Sequence, residues 1–133
     1  MIYPVFFMVL LTLVIGIVAF FTRVNSVKAR KVNPKAYKLM DAESFPESVI
    51  KTTRCFNNQF EVPVLFYVGC LFYVALNISS VVGLYFAWAF VILRVMHAYI
   101  HITYNHLLHR IIVFWAAVFM VLGLWITLML NMA

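Results

Sequence analysis

Residues 61–94 read EVPVLFYVGCLFYVALNISSVVGLYFAWAFVILR, and no charged side chain stands between Glu61 and Arg94. A polar break from Asn77 to Gly83, with two serines and a glycine, divides the stretch into two apolar runs. Asn, Ser and Gly in a cluster mark a turn, so the pattern is that of two membrane-crossing helices joined by a short loop. The first run, Val62 to Leu76, is short for a span, because a bilayer core of ~30 Å needs roughly 20 helical residues. Its helix is therefore expected to begin near Pro46, where Ser44-Phe45-Pro46-Glu47 offers a cap and a proline at a helix start. Such a helix carries Arg54, Asn58 and Glu61 into the membrane. Pro63 is a candidate kink within it.

Outward from this pair, residues Ile2 to Thr22 and Ile111 to Leu130 carry no charge at all. Four transmembrane helices follow, at about residues 2–22, 47–77, 84–105 and 111–130. The expected fold class is all-α, a single integral-membrane four-helix bundle. Composition agrees: 66% of residues are hydrophobic, 11% are charged, and mean hydropathy is +1.02. A soluble domain is roughly 45–50% apolar and about 25% charged. The apolar surface exceeds what so small a chain can bury internally, so lipid or partner subunits must cover it. The first segment does not resemble a secretory signal, since no basic residue precedes it and no small-residue cleavage site follows.

The net charge of +6 is concentrated, with eight of the ten Lys and Arg lying between Arg23 and Arg54. No nucleic-acid-binding motif accompanies them, and a basic loop beside membrane spans is what topology demands, so no nucleic-acid partner is expected. Such a loop touches anionic membrane lipid. Asn33-Pro34 within it should stop or bend any continuation of the first helix. The third loop holds Arg110 with His106 and His109, while the second loop and both termini hold no Lys or Arg. Positive loops stay cytoplasmic, which sets both termini on the non-cytoplasmic side. Cys55 and Cys70 are too few for a disulfide framework and read as free thiols.

Ionisable groups at membrane depth are costly and usually face a protein interior. Arg54, Asn58 and Glu61 are spaced i, i+4, i+7 and share a helix face, as do Arg94, His97 and His101 at i, i+3, i+7. Arg110 lies at the link just beyond. Facing each other, the two stripes make a polar pocket toward the cytoplasm with surplus positive charge, suited to an anionic ligand. A plainer arrangement is a Glu61–Arg94 ion pair holding two helices together. His97 and His101, at i and i+4, also suit a metal ion. Their helix adds no carboxylate, and the four histidines of the chain are too few for a histidine-box oxygenase; no metal is expected.

These residues resemble the MAPEG family, the membrane-associated proteins of eicosanoid and glutathione metabolism. Arg54-Cys55-Phe56-Asn57-Asn58-Gln59-Phe60-Glu61 is similar to the family's Arg-x3-Asn-x2-Glu motif on helix two, where a proline also follows closely. Arg94-Val95-Met96-His97 resembles the arginine and nearby His or Tyr of the prostaglandin E and leukotriene C synthases. Arg110, sixteen residues on, matches the arginine near the glutathione sulfur. Arg30 resembles the basic residue after helix one that meets a glutathione carboxylate. The likeness covers nearly the whole chain.

The resemblance implies a homotrimer of four-helix subunits, with glutathione held between neighbours and a lipophilic substrate arriving from the bilayer. Arg30, Arg54, Asn58, Glu61, Arg94, His97, His101 and Tyr104 are the implied binding residues, and Arg110 the catalytic one. His101 stands where the synthases have a tyrosine, and Ile111 where the prostaglandin synthase has a serine. These departures point away from eicosanoid synthesis and toward general glutathione transferase or peroxidase chemistry. The alternatives are a non-catalytic lipid-binding or scaffold member of the family, or an accessory subunit of a membrane complex.

Overall fold

The computed structural model describes residues 1–38 and 45–132. Ser44, the expected cap, and the acidic Asp41 and Glu43 lie outside the described residues. Helix α1 spans Ile2–Lys28, α2 Glu47–Asn57, α3 Val62–Ala75, α4 Val81–Ile102 and α5 Leu107–Met132, with no strand among the described residues. Helices α2 and α3 follow one another as a single span, so four segments are long and apolar enough to cross a membrane. The chain is an all-helical membrane protein.

Helix α1 was expected to end at residue 22 and runs on to Lys28. Nothing between Arg23 and Lys28 breaks a helix, and 27 residues extend about 40 Å at 1.5 Å each. Its basic end thus lies beyond the hydrocarbon. Backbone bonds from Arg30 to Val27 (2.9 Å) and from Lys31 to Ser26 (3.0 Å) close it, with Arg30 left-handed at φ 54°. That is a Schellman cap with arginine in the usual glycine position. A short 3-10 turn, Pro34–Lys38, follows, and the Ser26 and Tyr37 hydroxyls tie it to α1 at 2.7 Å.

The loop between α3 and α4 is shorter than expected. Ser80 caps α4 by accepting the Gly83 N–H at 3.1 Å, which puts Gly83 inside the helix rather than in the turn. The glycine serves packing: a Cβ there would stand 2.6 Å from the Tyr73 hydroxyl oxygen. Tyr73 donates to the Leu124 carbonyl at 3.2 Å, and Trp125 Nε1 to the Leu65 carbonyl at 3.1 Å. Polar bonds between helices and close contacts hold membrane bundles together where lipid is as apolar as the core.

The buried residues of α4 are Gly83, Ala87, Phe90, Val91, Arg94, His97, Ala98, Ile100 and His101. That spacing is one helical stripe, apolar in its first half and polar from Arg94 onward. The apolar half packs with Met8, Phe66, Cys70, Ala117, Val121, Leu124 and Leu128, and Phe66 stacks on Phe90 with ring centroids 4.6 Å apart. The polar half lies between α2 and the start of α5. Helix α5 begins at Leu107 rather than near residue 111, so Arg110 belongs to its first turn and not to a link.

Candidate functional site

The site begins with a break in the second span. Pro63 has no N–H, and its ring crowds the carbonyl four residues back, that of Gln59. The chain responds with a 3-10 turn over Asn58–Phe60 and a Glu61 backbone at φ −100°, ψ −103°. Arg54, Asn58 and Glu61 therefore do not share one continuous α-helical face as the spacing alone implied. In a straight helix the Asn58 carbonyl would accept from Val62. Here it accepts from Arg94 Nη2 at 3.1 Å.

Arg94 is fully buried, and Gln59, His97 and His101 are each at most 3% exposed. The His97 and His101 rings are 5.7 Å apart, and His97 also lies against Phe114 of α5. Most of this polar layer lacks partners among the described residues. Arg94 Nε and Nη1, Asn58 Oδ1, Gln59 Oε1, Arg110 Nε and Nδ1 of both histidines are buried and unbonded among the described residues. Native interiors seldom leave such groups unpaired, and this many in one layer call for a ligand, water or a neighbouring chain.

The direct Glu61–Arg94 ion pair does not form. Glu61 Oε2 accepts from Asn58 Nδ2 at 2.8 Å, so Asn58 stands between acid and base. Lys51–Glu47, at 3.3 Å, is the one ion pair among the described residues. A buried guanidinium with one neutral acceptor and no carboxylate bonded to it retains its capacity to bind an anion.

Arg110, half-buried, donates from Nη1 to Asn105 Oδ1 at 2.8 Å. Together with Arg54 and Arg94 it lies within Coulombic range of His101, so three cations and the histidine pair share one end of the bundle. Other expected members are less engaged. Arg54 and Glu61 are exposed, and Arg30 is exposed on its left-handed turn. Among the described residues no hydrogen bond joins Arg54 or Arg30 to the buried layer. Tyr104 is 55% exposed and pairs its hydroxyl with His109 Nδ1 at 3.1 Å, away from Arg94.

Two contributors were not singled out in the sequence. Gln59 passes for a filler position in the helix-two motif, and its burial follows from the 3-10 turn, which no spacing rule anticipates. Asn105 reads as loop and turns out to hold Arg110. Beside Gln59, an apolar groove runs between α1 and the second span. One part, about 680 Å³, is lined by Thr12, Leu13, Gly16, Phe20, Phe56 and Phe60 among others. A second part, about 310 Å³, reaches Gln59, Val64 and Tyr67. Among the described residues no three His, Cys, Asp or Glu side chains gather to hold a metal.

The MAPEG family model matches residues 1–130 of the 133-residue chain. No curated protein and no solved structure matches the chain significantly.

Proposed function

The chain belongs to the MAPEG family, and on that premise we propose that it is a membrane-bound glutathione S-transferase or peroxidase acting on lipophilic electrophiles. The observation that carries the reading is the buried layer of unpaired donors and acceptors around Arg94. Glutathione fits that layer because it offers both kinds of partner: carboxylates for guanidinium nitrogens, and an ammonium and amides for side-chain oxygens. Arg94, through Nε and Nη1, and Arg54 meet carboxylates with charge-assisted hydrogen bonds. Asn58 Oδ1 and Gln59 Oε1 accept amide protons, and Glu61 faces the ammonium. His97 completes the lining.

Bound there, glutathione supplies a thiol, which is a weak nucleophile until ionised. A free thiol has a pKa of about 8.5, and an adjacent cation lowers it. Arg110 is that cation, at the first turn of α5, where the positive end of the helix dipole adds to it. His101 or Tyr104 donates a proton to the leaving group. The groove along α1 and the second span admits an apolar substrate laterally from the bilayer. Arg30, Arg54, Glu61 and Tyr104 are exposed on one chain; in this reading they close the site against a neighbour in a homotrimer, on the cytoplasmic side.

Steady-state assay of the detergent-purified protein with a generic lipophilic electrophile and with a lipid hydroperoxide tests the proposal. Arg110→Ala should lower kcat/KM about a hundredfold, the scale seen when one stabilising donor is removed from an active site. Unchanged turnover would clear Arg110 of the role. The second reading is the non-catalytic lipid-binding, scaffold or accessory member, favoured by exposed Ile111 where the prostaglandin synthase carries serine. Glutathione binding without turnover by the wild type would select it.

A further inference from the structure

We propose that Asn105 is the positioning residue for Arg110, holding the guanidinium by a neutral oxygen so that its charge stays available to the thiolate. The inference rests on the reading of Arg110 given above and adds a residue to it. Asn105 has φ 50°, a left-handed conformation that costs most L-residues roughly 1–2 kcal/mol and that asparagine tolerates best after glycine. Its N–H reaches back to the Ile100 carbonyl at 2.8 Å, so the residue ends α4 and fixes where the chain turns toward α5. The turn brings Oδ1 to Arg110 Nη1 at 2.8 Å.

The choice of acceptor matters electrostatically. A cation in the first turn of a helix is opposed by the dipole, so Arg110 needs something to hold it in place. A carboxylate would do so most strongly but would cancel the charge. An amide oxygen supplies direction without cancelling it. Arg94 follows the same rule, held by the Asn58 backbone carbonyl rather than by Glu61. Arg110 Nε stays buried and unbonded among the described residues, leaving one edge of its fork for a ligand. The titratable groups on the facing elements that feel the Arg110 charge are Cys55 of α2 with His97 and His101 of α4.

Two variants separate side chain from backbone. Asn105→Gly keeps the left-handed turn, which glycine adopts freely, and removes the oxygen; Asn105→Asp keeps the geometry and adds a charge. Ionisation of glutathione bound to the whole purified protein is followed by thiolate ultraviolet absorbance against pH. Asn105→Gly and Asn105→Asp should each move the bound thiol toward the free value of about 8.5. For Asn105→Gly, kcat at neutral pH should fall about tenfold while KM for glutathione changes less than about threefold. In the ligand-free protein, nitrogen-resolved NMR should show distinct Arg110 Nη protons that merge in Asn105→Gly as the guanidinium rotates freely. Unchanged thiol ionisation in Asn105→Gly, with Arg110→Ala raising it, would overturn the role of Asn105 alone. Unchanged ionisation in Arg110→Ala would overturn the underlying role of Arg110 and this proposal with it.

Discussion

Arg94 brings five N–H donors into the bundle and among the described residues finds one neutral acceptor, the Asn58 carbonyl at 3.1 Å. Removing a charge from water costs several kcal/mol even after relaxation, and an apolar replacement of similar volume is often neutral or stabilising. Arg94→Met should therefore leave the thermal unfolding midpoint in detergent unchanged or raise it by a few degrees. The same change should weaken glutathione binding at least tenfold. A lowered midpoint with unaltered binding would make Arg94 a structural residue. The stripe of Arg94, His97 and His101 was legible in the sequence because helical spacing puts i, i+3 and i+7 on one face, and all three are buried. Gln59 was not legible, because its burial depends on the 3-10 turn and the break at Glu61, which helical spacing does not anticipate. Arg54 and Glu61 were picked out by i, i+4, i+7 spacing as well as by likeness to a motif, and in the single chain they remain on the surface.

At the scale of elements, two residues shape the bundle differently from their usual reading. Pro63 interrupts the second span and so frees a carbonyl for Arg94, making a break in one helix the support for a cation on another. Gly83 looks like turn chemistry beside two serines but lies inside α4 against Tyr73. Overpacking a tight contact costs about 1–3 kcal/mol, so Gly83→Ala should lower the unfolding midpoint by several degrees. Glutathione affinity of the folded protein should be unaffected, since Gly83 is at the far end of α4 from His101. Tyr73→Phe in the same chain should recover part of the loss by removing the nearest atom. Additive losses in the double variant would contradict the contact. The number and order of helices followed from charge-free runs, whereas their ends did not. Helix α1 continues to Lys28 and α5 starts at Leu107 because polar residues without breakers extend a helix past the lipid boundary.

For the molecule as a whole, large apolar side chains are exposed on all four spans, as lipid-facing or subunit-facing surfaces require. The polar layer is the exception to that apolar bundle. It is buried among α2, α4 and α5, while Arg54 and Glu61 of the same span as Asn58 are exposed. A surplus of cations at one end, unpaired atoms within it and an apolar groove beside it form a consistent set for an anionic peptide meeting an apolar substrate. Calorimetric titration of glutathione into the detergent-purified protein, at two temperatures so that a vanishing enthalpy cannot hide binding, tests this most directly. Saturable binding by the wild type, weakened at least tenfold by Arg54→Ala, is the predicted result. Absence of saturable heat at both temperatures, from a folded protein, would contradict it.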